Sequence, residues 1–342
     1  MSGKLSKFYR VLAVFVIMIA SIATVTDARE YYITPDGETV YYSPPPRIFY
    51  YESGSENDEI YITFVGHGEK PERIKEPAGI FIDRNDRVYI SDAGAGAVKV
   101  YTNRGKFLRS IGEKNSGANA LERPGPLALN SFGEIYVSDL SKREIFIYAY
   151  PGRFLNRMEA SGKKEAQIDI PSSIAIKPDG GILFLDGEKS RVVGYSFKRR
   201  FESSWGEFGT DAGKLNHPRD LAVSRGEVFI ADTQNHKVEV FDEKGRALRR
   251  FGGKGDTPGR FLHPHAITVD PRGKITVADN GGGRIQFFTA FGHFLGQMRF
   301  DQDKKATRKV RVRDMAFDSI GTLYLIDQRG RRVLKIPPQN LP

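Results

Sequence analysis

Six aspartates, Asp92, Asp139, Asp186, Asp232, Asp279 and Asp327, recur at intervals of 46 to 48 residues. A carboxylate can act as general acid, general base or metal ligand, so the series invites a catalytic reading. Repetition argues the other way. A reaction centre needs one differentiated constellation, whereas a carboxylate present in every copy of a repeat most simply accepts hydrogen bonds from backbone amides of the turn after its strand. Among the six histidines, His217, His263 and His265 are the candidate metal ligands, since the first two hold equivalent places in successive copies and the third lies two residues on. The equivalent places elsewhere are Glu76, Arg123, Ile170 and Arg311, which do not extend a ligand set. No cofactor and no catalytic residue is therefore expected.

The chain has no Cys, which excludes thiolate nucleophiles, thiolate metal sites and disulfide frameworks. It also lacks a GxSxG elbow, a phosphate-binding glycine loop and a His-Glu-x-x-His helix. The uneven distribution of cations says more. Two neighbouring loops near the carboxyl end hold Lys304, Lys305, Arg308, Lys309, Arg311, Arg313, Arg329, Arg331 and Arg332. The corresponding loops of other copies, 186–190 and 232–236, show that the repeat does not require them. Arg is prominent in this group, and its planar fork suits carboxylate or phosphate, so these nine residues are the candidate partner-binding set.

The elements that must position these groups follow from the repeat. In one copy, Asp220–Ser224, Glu227–Asp232, Lys237–Asp242 and Ala247–Gly252 alternate in the period-two manner of half-buried strands, with tight turns between them. No room is left for crossover helices, so each copy is a four-stranded antiparallel sheet. Such a sheet cannot bury both faces alone, and six copies solve this by radial packing into a closed β-propeller. The sixth copy ends after its third strand, at Pro337-Pro338, and residues 59–66 match the fourth-strand pattern. The expected fold is thus an all-β, six-bladed propeller whose amino-terminal strand completes the carboxyl-terminal blade and removes the open edges. On this reading residues 59–338 form the propeller, 29–58 a Tyr/Pro-rich extended arm and 339–342 a short tail.

The stretches Phe261–Phe288 (FLHPHAITVDPRGKITVADNGGGRIQFF) and Leu215–Phe241 (LNHPRDLAVSRGEVFIADTQNHKVEVF) resemble the NHL repeat, and the resemblance runs over residues 59–338. It implies a six-bladed propeller. The family includes ligand-, protein- and RNA-binding modules, extracellular sensors and a few lyases. Some of those lyases use zinc held by histidines at the channel mouth, so the resemblance fixes architecture better than activity.

Residues 1–10 carry Lys4, Lys7 and Arg10 without an acid, and the next fifteen are apolar or small. This pattern predicts a secretory signal peptide of residues 1–28, cut after Ala23 or Ala28, and a mature protein in the periplasm or secreted. The net charge of +10 would suit nucleic acid, but export removes that partner. The sequence therefore points to a monomeric, non-catalytic scaffold or sensor of the bacterial envelope. Its expected partner is an anionic protein or glycan, bound through the loop face. The alternative is a metal-dependent lyase or lactonase with its site at the channel mouth, drawing on Asp220 or Asp314 beside the histidines.

Overall fold

The computed structural model describes residues 31–33, 39–41, 47–49, 62–65, 70, 72–158, 164–168, 170–300 and 310–342. Residues 1–28, expected to be a signal peptide, most of residues 29–58, His67, Lys304, Lys305, Arg308 and Lys309 lie outside the described residues. The chain divides into two units, Met1–Pro45 and Pro46–Pro342. In the first, Tyr31–Ile33 pairs antiparallel with Thr39–Tyr41.

The second unit is the propeller. Blade 1 runs Pro77–Ile82, Val88–Asp92, Ala97–Tyr101 and Phe107–Ile111; blade 2 runs Pro124–Leu129, Glu134–Asp139, Glu144–Ala149 and Arg153–Met158. Blade 3 comprises Ser173–Ile176, Ile182–Asp186, Arg191–Tyr195 and Phe201–Trp205, and blade 4 is the copy dissected above. Blade 5 is Pro264–Val269, Ile275–Asp279, Arg284–Phe288 and Phe294–Arg299, with Arg47–Phe49 added as a fifth, parallel edge strand. Blade 6 takes Val312–Phe317, Leu323–Asp327 and Arg332–Ile336 from the end of the chain and Ile62–Val65 from its beginning. The ring is closed as the repeat arithmetic requires.

Each second strand ends on one of the repeated aspartates. Second and third strands are almost wholly buried, while outer strands such as Arg153–Met158 keep exposed positions. The apolar residues gather into six clusters, one per blade junction, so that Val98 of blade 1 packs with Val137 of blade 2 and so on around the disc. The sixth cluster seals the ring. It joins Val65 to Tyr324 and Val333 of blade 6 and to Ile80 and Tyr101 of blade 1. At this seam the turn of blade 1 bears Gly105 at φ +82°, and a Cβ there would stand 3.2 Å from the Phe64 carbonyl oxygen. Glycine answers both demands, a left-handed backbone and close approach of the closing strand.

Strand order fixes two faces. Links between blades and the turns from second to third strands share one, called here the upper face; turns from first to second and third to fourth strands share the lower. Among the described residues no helix is long and apolar enough to cross a membrane.

Candidate functional site

The repeated aspartates come first because they shape the upper face. Asp92 accepts the backbone N–H groups of Lys75 and Glu76 at 2.9 and 2.8 Å, and Asp279 accepts those of Leu262 and His263. Asp139, Asp232 and Asp327 take equivalent amides from Glu122, Asn216 and Arg311. Asp139 and Asp186 also take amides of the following turn. Their chemistry is structural: Asp92, Asp139, Asp232, Asp279 and Asp327 tie the link before their blade to the end of the second strand, and Asp186 holds the turn that follows it.

Five residues beyond the aspartate, four blades place a cation beside it: Arg191, Lys237, Arg284 and Arg332. Arg191 also donates to the Glu165 and Gln167 carbonyls, and Arg284 to carbonyls of residues 255–260, so these side chains pin the inter-blade links. Arg332, expected among the partner-binding cations, belongs to this structural series, with its Nε 3.0 Å from Asp327. The five-residue spacing was visible in the sequence and is the signal that would have separated it from the rest.

The six innermost strands surround an axial cavity of about 1030 Å³. At its upper mouth the residue after the repeat's proline, or after Val312 in blade 6, is Ala78, Gly125, Ser172, Arg219, His265 and Arg313 in turn. The mouth is therefore small and neutral over blades 1 to 3 and basic over blades 4 to 6. Arg313 lines this cavity rather than the outer rim, a departure from its expected placement with the loop cations. A contiguous basic run in sequence concealed the change, because Arg313 lies inside Val312–Phe317 whereas Arg311 precedes that strand.

Arg311 and Arg329 do meet on the upper face. Together with His263 they line a crevice of about 390 Å³ between blades 5 and 6. Arg331 is exposed in the adjoining turn, at φ 48°. Arg219, which the sequence reading missed, completes the group. Its basic character becomes a site only once the ring places it beside Arg313. Arg219, Arg311 and Arg313 make no ion pair with a carboxylate among the described residues, unlike Arg87, Arg249 and Arg284.

The histidines do not converge as a ligand set. His217 is exposed, its Nδ1 2.8 Å from Asn216 Oδ1 and its ring edge-on to Phe208. His263 faces the crevice, while His217 and His265 both line the axial cavity. Among the described residues no three His, Asp or Glu side chains are grouped to hold a metal ion. Burial, then Arg313, Arg219 and Arg311, push His265 down to about 3, and burial lowers His263 as well. His265 is thus neutral at neutral pH, and the positive potential there is the work of the guanidinium groups.

Asp220 and Asp314 also line the cavity, but their oxygens are engaged. Asp220 accepts Leu221 N–H at 2.8 Å and, across the junction, Ile267 N–H of blade 5 at 2.7 Å. Asp314 accepts Met315 N–H at 2.7 Å and Ile80 N–H of blade 1 at 2.9 Å, bridging the last blade to the first. Burial raises both carboxyls well above the ordinary Asp range, and for Asp220 the charge of Asp314 adds to it. These are staples between innermost strands. Replacing Asp314 by Ala strands two amides and should lower the unfolding free energy by about 2 kcal/mol, read as a shifted urea midpoint. An unchanged midpoint would show that the bridge to blade 1 is idle.

Comparison with known proteins agrees with the architecture. Residues 210–322 match the family described as a 6-bladed beta-propeller. Human NHL repeat-containing protein 3 is 33% identical over 86 residues, which is 24% of this chain and 25% of that protein. The chain spans a quarter or less of the length of such curated relatives. Among solved structures, virginiamycin B lyase from Staphylococcus aureus superposes with a TM-score of 0.56 at 17% identity, covering 78% of this chain and 82% of that one. A gluconolactonase from Xanthomonas campestris gives 0.59 at 15%, over 81% and 89%. At these identities the likeness is one of fold.

Proposed function

We propose that this six-bladed propeller of NHL-type repeats is an exported, non-catalytic binding module whose partner presents carboxylates to the basic half of its upper face. The observation that carries the reading is the gathering of Arg219, Arg311 and Arg313, without carboxylate partners among the described residues, where the axial cavity opens. Guanidinium forks bind carboxylate bidentately, and the partly enclosed mouth weakens competition from water. The rigid ring holds the three forks at little ordering cost on association. Arg329 and Arg331 extend the basic track outward along blade 6.

A lyase or lactonase reading draws on the names of the two solved structures. Here the two cavity carboxyls that could move protons already accept strand amides through both oxygens, which favours recognition over turnover.

The test uses poly-L-glutamate as the acidic-protein probe and polygalacturonate as the acidic-glycan probe. Changing Arg219 and Arg313 together to Ser should weaken binding to the preferred polymer roughly ten- to a hundredfold, with a shallower salt dependence. Affinity should rise on acidification from neutral pH, because protonating Asp220 and Asp314 removes the local counter-charge. Equal affinity of wild type and double variant for both polymers would end this assignment. Export is tested separately by finding the chain in the envelope fraction with a new amino terminus near residues 24–29.

A further inference from the structure

The lower face poses a different question. Five of its turns begin with Asp or Asn side chains folded back on their own backbone. Asp83 accepts Asn85 and Arg87 N–H, Asp242 accepts Lys244 and Arg246 N–H, and Asp270 accepts Arg272 and Lys274 N–H. Asp318 accepts Ile320 and Thr322 N–H, and Asn130 accepts Phe132 and Glu134 N–H. Acidic groups are thereby consumed within the turns and drawn below the tips. What remains outward is mostly apolar or basic, with exceptions such as Asp179 and Glu202, which flank Lys177 beside the Phe132 and Phe197 tips.

Four large apolar side chains occupy these tips: Phe132 is 71% exposed, Phe197 48%, Phe291 73% and Ile320 71%. No packing need in the blades explains them, since the six junction clusters are complete without them. Phe132 of blade 2 and Phe197 of blade 3 stand on either side of Gly180, where a Cβ would lie 3.4 Å from each. Cations accompany them. Lys198 Nζ sits 5.4 Å above the Phe197 ring and Arg249 Cζ lies 5.9 Å from that of Phe291, while Arg84, Arg225 and Arg272 are exposed on neighbouring turns.

We infer that the lower face docks on an anionic lipid surface, with the apolar turn tips inserted at headgroup depth and the surrounding Lys and Arg meeting the headgroup charge. The distribution selects this occupant. A protein partner is gripped by one contiguous aromatic and arginine cluster at the centre of an interface. Here the tips belong to blades 2, 3, 5 and 6 and share one side of a rigid disc, an arrangement suited to a planar, laterally uniform partner. Exposed cations between the tips supply the complementary charge for acidic headgroups.

The experiment uses the full mature chain with vesicles of phosphatidylcholine alone and of phosphatidylcholine mixed with phosphatidylglycerol. Binding is expected only to the anionic vesicles. It should fall about tenfold in Phe132→Ser/Phe197→Ser and further when Phe291→Ser and Ile320→Ser are added, with melting unchanged because the tips are exposed. A Phe132→Trp variant should show an emission blue-shift on anionic vesicles, over and above that of native Trp205. Absence of vesicle binding, or capture of a soluble protein through these tips instead, overturns the inference. So does vesicle binding that ignores the tips but disappears in Arg219→Ser/Arg313→Ser, which would move lipid contact to the upper face. The tip variants should keep wild-type affinity for the acidic polymers, so the two proposals fail independently.

Discussion

Replacing Phe64 by Ala should destabilise the propeller by about 3 kcal/mol, although the residue lies in a four-residue strand at the margin of the repeat. Ile62–Val65 brings the beginning of the chain into the blade built from its end. The Phe64 ring meets Tyr324 edge-on at 5.1 Å and Tyr101 at 6.1 Å, so it contacts blade 6 and blade 1 at once. Tyr324 in turn donates to the Asn103 carbonyl, as does Lys335. Removing the ring opens a cavity at the seam that closes the disc. Because a ring of blades resists unfolding only while closed, the loss should show as faster unfolding and earlier hydrogen exchange in Arg332–Ile336. Blade 3, on the far side, should exchange as before until global unfolding. Phe107→Ala, in the same cluster with its ring against Tyr101 of its own blade, is the control and should cost less. Equal exchange in Arg332–Ile336 for wild type and Phe64→Ala would show that closure does not depend on this contact.

Much of this design was legible before any coordinates, and the reason is geometric. A repeat multiplies its own signal: the Asp-to-Asp interval, the missing fourth strand after Arg332–Ile336 and its counterpart near residue 62 all specify ring closure from sequence alone. The structural role of the six aspartates was legible for the same reason. Site residues are not repeated and lose that advantage. Arg219 stands alone in its segment and becomes a partner of Arg313 only through the curvature of the ring. Arg313 was grouped with the loop cations by adjacency, while strand geometry directs it to the axis. Arg332 shows the converse, a cation of the loop group that also holds a repeated structural position beside Asp327.

The two faces treat their acids alike. On both, carboxylates are spent on backbone amides, by the blade aspartates above and the turn aspartates below. On the two proposals together, a disc lying on an anionic surface by its lower turns would present its basic channel mouth away from that surface, toward acidic polymers.

The other large effect is expected at Arg284. Its side chain is fully buried, and it pairs with the equally buried Asp279 at 3.2 Å. The remaining donors serve the link between blades 4 and 5, with bonds to the carbonyls of Asp256, Gly255 and Arg260. Gln286 reinforces the same loop, accepting Gly259 N–H and donating to the Arg260 carbonyl. Arg284→Ala leaves a buried carboxylate and several carbonyls unanswered, for an expected loss of about 3 to 5 kcal/mol. Lys can satisfy Asp279 but has no fork to span the loop carbonyls, so Arg284→Lys should recover only part of the loss. The loop runs directly into Leu262 and His263, whose amides are held by Asp279. A loosened loop therefore disturbs the crevice shared with Arg311 and Arg329, and Arg284→Lys should weaken acidic-polymer binding although Arg284 never touches the polymer. If Arg284→Ala melts like wild type, the +5 cation is not what anchors the link, and the exclusion of Arg332 from the binding surface loses its basis.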